Sequence, residues 1–336
     1  MSTVLVVTGG LLIAIALLDV AWTAVAAGSG AGPVTGPVTG ALWRLALAYH
    51  HRRPSHALLS FAGVAVVFSV LAVWITLVLL GWVLVFTASD GAVRAAHSGT
   101  PADLVARVYF VGYSVFTLGN GGFSPGAGTW QIATVLATAT GLVLVTLSIT
   151  YLVPVASAVA QSRQLASYIS SLGPTSAEIV RRSWTGSGFG SLSQHFVSLA
   201  ALIHGTRQHH LTYPVLHYFH SGDRDSAVAP ALSHLSGALQ LLRHGVPAGA
   251  RPDPAALDTL DAAIGSYLST LSSAYIRPGD DSVPPPALGD LRLAGVPTVD
   301  DDTFAEATPA TRERRRMLAA FLRNDGWPID ERQSQP

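Results

Sequence analysis

Apolar residues dominate the first part of the chain, and charged residues are concentrated in the second part. Three long apolar segments lie at residues 4–27, 57–89 and 130–160, and the one charged residue inside them is Asp19. A helix needs about 20 mostly apolar residues to cross the hydrocarbon core of a bilayer. Each segment therefore predicts a transmembrane helix, and residues 161–336 predict an aqueous region.

A shorter helix is predicted between the second and third spans, where residues 100–125 read TPADLVARVYFVGYSVFTLGNGGFSP. Thr100 is suited to the N-cap, Pro101 to the first helical position, and Asp103 to the third position of a capping box. A helix over residues 101–116 is too short to cross a bilayer at 1.5 Å per residue. It should enter the membrane, stop, and continue as glycine-rich backbone, which is tolerated at that depth only inside protein or against water.

The order of these elements resembles a known family. A span, a half-helix, a T-x-G-x-G segment and a second span are typical of the tetrameric pore-loop cation channels of the potassium-channel superfamily, whose selective filter reads T-V-G-Y-G-D. Here residues 117–122 read TLGNGG. The filter of bacterial non-selective sodium/potassium channels, T-V-G-D-G-N-F-S-P, is more similar still, because residues 123–125 continue the match as FSP. The resemblance covers roughly residues 57–160, and an ordinary glycine-rich loop is the alternative.

The resemblance implies that backbone carbonyls replace the water shell of a permeant ion. It assigns this coordination to five consecutive residues, Thr117, Leu118, Gly119, Asn120 and Gly121, and the outer mouth to Gly122. Asn120 stands where the selective motif has an aromatic ring, and Gly122 stands where it has an acid. We therefore expect a wider outer filter that conducts K⁺ and also Na⁺. The alternatives are a strictly K⁺-selective channel and a non-conducting membrane anchor or sensor with a degenerate pore loop.

The expected fold is an all-α membrane protein with three transmembrane helices, a re-entrant pore helix and a filter loop, followed by an all-α cytoplasmic domain. In this interpretation residues 1–56 add a transmembrane helix and a cytoplasmic loop or helix to a pore domain at 57–160. Four identical subunits are expected, because one loop cannot surround an ion. The permeant ions K⁺ and Na⁺ are the expected ligands, and no cofactor is predicted.

The third span contains candidates for gating. Gly141 lies near its middle, where related channels often have a hinge, and Pro154 should bend the helix near its inner end, since proline removes one helical hydrogen bond. Three hydroxyl side chains could line a wet cavity: Thr138, Thr146 and Thr150. The alternative is that the glycine allows close packing and the proline has no role in gating.

The first span and the loop after it leave two questions open. No basic residue precedes the span, unlike in a signal peptide, so we interpret it as a retained helix. Asp19 inside it is expensive to expose to lipid, and either makes a structural contact or has a functional role. The loop repeats Gly-Pro-Val-Thr, which predicts irregular structure, and residues 41–53 then predict either an amphipathic helix on the inner leaflet or a plain connector.

Composition and charge agree with a membrane protein. Only 12% of residues are charged and 49% are hydrophobic, whereas soluble domains contain about a quarter charged residues. The formal net charge is zero, which argues against a nucleic-acid partner, and the absence of cysteine excludes disulfides and thiolate chemistry. Membrane lipids and other copies of the chain are the expected partners.

The distribution of arginine predicts the orientation, because basic loops remain in the cytoplasm. Two regions are rich in arginine, one before the second span and one after the third: Arg44, Arg52, Arg53, Arg163, Arg181 and Arg182. The loop between those spans has Arg94 and Arg107, balanced by Asp90 and Asp103. We expect a plasma (inner) membrane protein with its N-terminus outside and its C-terminal domain in the cytoplasm.

The sequence pattern of the aqueous region predicts helices and does not suggest an enzyme. Residues 161–190 are expected to be a linker. The GSGFG string at 186–190 follows no strand, so we interpret it as part of this linker rather than as a nucleotide-binding site. Helix-periodic segments lie at 192–204, 213–220, 227–243 and 254–275, and a Pro-rich connector at 277–300 precedes a final helix at 309–323 with Thr308 as N-cap. No catalytic spacing is evident.

Histidine and aspartate are close together near residue 220. His217 and His220 are spaced i, i+3 on one predicted helical face, and Asp223 and Asp225 follow directly. These side chains could pack between helices, titrate near neutral pH, or bind Zn²⁺ or Ni²⁺. No strong metal-binding spacing selects among the three.

Overall fold

The structure is a computed structural model that describes residues 2–25, 31–119 and 121–329. Its contacts divide the chain into two compact units, with boundaries after Ala41, Val64 and Val155. The first unit contains residues up to Ala41 and from 65 to 155, and the second contains the rest. Within these described ranges, three helices are long and apolar enough to cross a membrane, as the sequence predicts.

Among the described residues, the first unit is built on five helices, three of which also extend into the second unit. They are α1 (Thr3–Val25), α2 (Thr35–Arg52), α3 (His56–Thr87), α4 (Leu104–Val115) and α5 (Thr129–Leu172). Helix α5 has 44 residues and is about 66 Å long, which is about twice the thickness of a bilayer core. The prediction of a linker at 161–190 is wrong for its first part, because α5 continues to Leu172. No Gly or Pro interrupts the sequence between Pro154 and Gly173.

Helix α2 corrects the prediction that both Gly-Pro-Val-Thr repeats are irregular. The second repeat, from Gly36 to Thr39, lies in the first turn of α2. Proline is tolerated there because the first N–H groups of a helix have no intrahelical acceptor. Since α2 continues to Arg52, the residues at 41–53 are helical rather than a plain connector.

The helix before the filter segment begins later than the sequence predicts. Asp103 is the N-cap of α4, and its carboxylate accepts a hydrogen bond from the N–H of Ala106 at 2.8 Å. Thr100 is not the N-cap, since Pro101 forms an extended bridge with Arg94. The 12 residues of α4 still make it too short to cross a bilayer.

A two-stranded sheet, which the sequence pattern did not predict, follows the filter segment. Strand β1 (Val93–Ala95) pairs antiparallel with β2 (Phe123–Pro125), with Arg94 opposite Ser124. The N–H of Gly126 extends this pairing with a 2.9 Å bond to the carbonyl of Ala92. The sheet joins the loop after α3 to the chain that leaves the filter segment.

Within the residues that the structure describes, the second unit contains helices and turns and no strand. Beyond the end of α5 it contains α6 (Ser176–Ser183), α7 (Leu192–Thr212), α8 (Val228–Gln240), α9 (Pro254–Ala274), α10 (Gly289–Leu293), α11 (Asp301–Ala307) and α12 (Arg312–Asn324). Short 3₁₀ turns lie at Pro214–Tyr218, Arg224–Ser226, Ala248–Ala250 and Thr308–Thr311, and a π turn at Leu241–Gly245. Leucine, alanine and aromatic side chains from these helices form one buried core.

Several predicted boundaries in this unit are corrected. The Pro-rich connector contains helix α10, and α7 continues eight residues beyond the predicted end at 204. Thr308 is not an N-cap, because it lies in helical conformation at the end of α11 and begins the 3₁₀ turn that precedes α12. The 213–220 segment forms a 3₁₀ turn rather than an α-helix, with Pro214 at its start.

Candidate functional site

The candidate filter segment, defined as residues 117–122, begins where α4 ends. The N–H of Leu118 donates to the carbonyl of Tyr113 at 2.8 Å, and Thr117 has a φ of +57°. A residue with positive φ just after a helix is a common way to end it, although glycine usually occupies the position. The β-branched Thr117 is therefore in an unusual conformation. The C-terminal end of a helix has partial negative charge, which favours a nearby cation.

The filter segment is exposed in the single chain. Thr117, Gly119, Gly121 and Gly122 are exposed, and Leu118 has 74% of its surface accessible. Gly119 has a φ of +65°, a conformation that favours glycine, although a Cβ atom there would contact nothing within 4 Å. Backbone conformation rather than packing therefore explains that glycine. Asn120 lies outside the described residues.

Both ends of the filter segment are fastened to neighbouring elements. At the far end, the N–H of Ala96 donates to the carbonyl of Gly122 at 3.1 Å, and the Tyr113 hydroxyl donates to the carbonyl of Phe123 at 2.7 Å. Tyr109 packs edge-on against both Tyr113 and Phe123. The aromatic side chains of α4 thus hold the chain that leaves the segment, and the segment itself spans two fixed ends.

Arg107 fixes the other end of α4, a role that the sequence did not indicate. Its side chain is buried and donates to the carbonyls of Ala102, Phe86 and Thr87 at 2.9–3.3 Å. It also contacts the exposed carboxylate of Asp90 at 3.3 Å. The last carbonyls of α3 have no intrahelical donor, so Arg107 satisfies them. The charge count alone gave no signal of this contact.

Helix α5 is packed closely against the C-terminal end of α4. A Cβ atom on Gly141 would lie 1.9 Å from the carbonyl oxygen of Val115, and the Thr138 hydroxyl donates to the carbonyl of Ser114 at 3.1 Å. The absence of a side chain at Gly141 therefore permits this close packing, and the hinge stays a prediction. Thr138 thus contacts α4 through its hydroxyl, and its place on a cavity wall stays a prediction.

The remaining gating candidates stay predictions. Thr146 and Thr150 are exposed in the single chain, and the Thr150 hydroxyl donates to the carbonyl of Thr146 at 2.9 Å. Pro154 lies inside α5, and the helix continues on both sides of it.

Asp19 makes a structural contact. Its buried carboxylate accepts four hydrogen bonds: from the N–H groups of Val34 and Thr35 at 2.7 and 3.2 Å, from the Thr35 hydroxyl at 2.5 Å, and from the Trp74 indole at 2.7 Å. Thr35 is the first residue of α2, so the carboxylate caps that helix and lies at the positive end of its dipole.

The predicted histidine–aspartate site does not assemble. His217 lies in a 3₁₀ turn, contacts the amide of Asn324 at 2.5 Å and stacks on a tyrosine ring, whereas His220 lies outside the turn. Asp223 and Asp225 are exposed, and Asp223 caps the next 3₁₀ turn. The four side chains therefore face different partners. Within the described residues no group of three or more His, Asp or Glu side chains is placed to hold a metal ion.

His220 instead belongs to a hydrogen-bonded chain inside the second unit. One ring nitrogen contacts His56 at 3.0 Å, and the other contacts the carboxylate of Asp325 at 3.3 Å. Burial raises the pKa of Asp325, while His220 opposes that shift. The His56 ring stacks on Trp327 with centroids 4.3 Å apart. The sequence gave no signal for this group, because its members are far apart along the chain.

One relative covers nearly the whole chain. The chain is 33% identical over 329 residues to "Uncharacterized membrane protein YdjJ" of Bacillus subtilis (strain 168), an alignment that covers 97% of this chain and 96% of that protein. No family model matches the chain, and no solved structure matches it.

Proposed function

The chain belongs to the same family as YdjJ, and from that premise we propose that it is one subunit of a homotetrameric channel for monovalent cations. The protein is a membrane protein, which agrees with the three candidate spans. In the proposal, the backbone carbonyls of residues 117–121 replace the water shell of K⁺, and also of Na⁺.

One observation carries the proposal. A helix of 12 residues, too short to cross a bilayer, ends at Val115 between two spans and continues as exposed backbone fastened at both ends. Irregular backbone between two spans is tolerated at membrane depth only inside protein or against water. A pore shared by several subunits meets that condition, and the negative end of α4 would then favour a cation at residues 117–119.

Assembly into a tetramer follows from the size of an ion. One filter segment can contact one side of an ion, so several copies are needed to surround it. Large apolar side chains on α5 are exposed in the single chain, including Ile132, Val135, Leu142 and Ile149. Subunit contacts and lipid would cover this surface. In this proposal the second unit lies in the cytoplasm and the N-terminus outside, an orientation that the arginine distribution favours.

Weak selectivity is the form of the proposal that the filter sequence favours. Asn120 and Gly122 replace the aromatic ring and the acid of the selective motif. The missing acid removes a ring of negative charge from the outer mouth, which lowers the local cation concentration. We therefore expect K⁺ and Na⁺ to permeate with similar ease.

The test is electrical recording of the purified protein in planar bilayers. We expect cation currents whose reversal potential between K⁺ and Na⁺ solutions is near zero. Gly119→Asp should abolish the current by placing carboxylates on the pore axis. Gly99→Asp is the matched control, because Gly99 has nearly the same φ of +67°, has open space around it, and lies outside the filter segment.

Three results would count against parts of this proposal. A reversal potential near the K⁺ equilibrium value would support strict selectivity instead. Asn120→Tyr with Gly122→Asp should increase K⁺ selectivity, and an unchanged value would remove the outer filter as the cause. Purified tetramers without current would support the non-conducting anchor or sensor.

A further inference from the structure

A cavity of about 400 Å³ lies inside the second unit. It is bounded by the start of α6, by α8, by α12 and by the Pro-rich segment before α10. Its volume falls in the range of pockets that hold small organic molecules. No residue of the filter segment lines it, so it is a separate site.

Two buried donors in the cavity wall have no partner. Gln240 is 5% exposed, and its side-chain Nε2 makes no hydrogen bond. The Nε of Arg315 is also buried without an acceptor. An unpaired buried donor costs about 1–3 kcal/mol, so native proteins rarely keep one without water or a ligand as its partner. Both groups need an acceptor.

The cavity has an excess of positive charge. Arg224 and Arg315 line it, and neither forms an ion pair within the described part of the chain, whereas Asp290 is the acidic residue in the same wall. Elsewhere in this unit arginines do pair, as Arg243 does with Asp258 at 2.6 Å. The carbonyl of Val283 accepts from Arg315 at 3.1 Å, which holds the guanidinium in place without neutralising it.

The start of α6 contributes further donors. Thr175 is the N-cap, and its hydroxyl accepts from the N–H of Glu178 at 3.2 Å. The N–H groups of Ser176 and Ala177, the first two positions of this eight-residue helix, have no intrahelical acceptor, and both residues line the cavity. The positive end of the helix dipole favours an anion here.

Part of the cavity wall is apolar. Prolines and leucines form it: Pro284, Pro285, Pro286, Leu318 and Leu322. A free inorganic ion would leave this wall uncovered, whereas a molecule with an apolar body would bury it. The ligand therefore needs both an anionic group and an apolar body.

We propose that this cavity binds a small organic anion. Its carboxylate or phosphate is held by Arg224, Arg315 and the N–H groups at the start of α6, Gln240 donates to it, and its apolar body rests on the prolines. This inference goes beyond ion conduction and does not depend on it, since binding can be measured without current.

The test is isothermal titration of the full-length protein in detergent micelles. The probes are phenyl phosphate and benzoate. Two control compounds each represent one half of the proposed ligand: neutral benzyl alcohol has the apolar body alone, and inorganic phosphate has the anionic group alone. We expect at least one of the two anions to bind at least tenfold more tightly than either half. Whichever of phenyl phosphate and benzoate binds more tightly identifies the anionic group.

Substitutions test the position of the site. Arg224→Gln and Gln240→Glu should each weaken binding at least tenfold, the first by removing charge and the second by adding a repulsive carboxylate. Arg292→Gln is the matched control, because Arg292 pairs with Asp301 away from the cavity wall and its loss should leave affinity unchanged. Thermal midpoints verify that each variant is folded.

The contrary outcomes are defined in the same experiment. No binding of either anion at millimolar concentration overturns the proposal, as does equal binding of benzyl alcohol. Inorganic phosphate that binds as tightly as phenyl phosphate overturns the assignment of an organic ligand. Equal effects of Arg292→Gln and Arg224→Gln overturn the location.

Discussion

A side chain at Gly141 would collide with the carbonyl oxygen of Val115, because a Cβ atom there would lie 1.9 Å from that oxygen. The contact joins the middle of α5 to the last residue of α4. The filter segment begins two residues later, so the position of the segment depends on this contact. A hinge at Gly141 would have to break it.

The first prediction concerns this contact. Gly141→Ala should lower the thermal midpoint and should reduce or abolish cation current, because backbone must move to admit the methyl group, at about 1–3 kcal/mol. The midpoint is measured by intrinsic fluorescence in detergent, and current in bilayers. Gly10→Ala is the control, since nothing lies within 4 Å of a Cβ atom at Gly10 in α1. Equal midpoints for the two variants would contradict the packing role.

The second prediction concerns Asp19. Asp19→Asn should destabilise the first unit by about 1–3 kcal/mol. Both carboxylate oxygens of Asp19 accept hydrogen bonds, whereas an amide has one acceptor oxygen, and its NH₂ group would face donor groups. Thermal unfolding measures the effect. Asp90→Asn is the matched control, since the side chain of Asp90 is 95% exposed and should contribute less than about 1 kcal/mol.

A structural role for Asp19 also has a functional consequence. Under the proposed channel function, folded Asp19→Asn protein should retain the ion selectivity of the native protein, since the carboxylate contacts Thr35 and Trp74 and not the filter segment. A changed reversal potential with an unchanged thermal midpoint would restore the functional interpretation of this residue.

The apolar pattern predicted the three spans and the half-helix, because backbone without water nearby must form its own hydrogen bonds and a long apolar segment has few ways to do so. It missed the end of α5, because the apolar segment ends near residue 160 while the helix continues to Leu172. Polar residues there, such as Ser162 and Arg163, reflect only the solvent around the helix. The absence of Gly and Pro between Pro154 and Gly173 was the better signal.

Contacts between distant residues were beyond the sequence pattern. Asp19 caps a helix that begins 16 residues later, and His220 contacts His56 across 164 residues. Periodicity describes the neighbours of a residue along one element and contains nothing about its partner on another element. For the same reason the donors around Gln240 and Arg315 became visible only when α6, α8 and α12 were in place.

The third prediction concerns the buried arginine of α4. Arg107→Lys should lower the thermal midpoint, because one ammonium group cannot reach the three carbonyls that the guanidinium contacts at the ends of α3 and α4. Arg94→Lys is the control, since Arg94 is exposed and donates to the carbonyl of Gly99. We expect the thermal midpoint to fall clearly in Arg107→Lys and to change very little in Arg94→Lys. Similar midpoints for the two variants would contradict the structural role of Arg107.

The fourth prediction is acid lability of the second unit. Burial lowers the pKa of His210 to about 4 and that of His217 to about 3, from an ordinary value of 6.5. Both histidines are therefore neutral when folded at neutral pH, and the unfolded chain binds their protons first as the pH falls. The free energy of unfolding is therefore not reduced by these histidines above pH 6.5, and it decreases as the pH falls from there towards 4 and 3.

The size of this loss can be measured between pH 7.5 and pH 5. Each histidine should then cost about 2 kcal/mol of unfolding free energy at pH 5, and the thermal midpoint should fall accordingly. A variant with His210→Gln and His217→Gln should be less stable at pH 7.5 but less sensitive to acid. His204→Gln, at an exposed position of α7, should keep the native pH dependence. Parallel curves for the native protein and the double variant would show that other groups cause the acid lability.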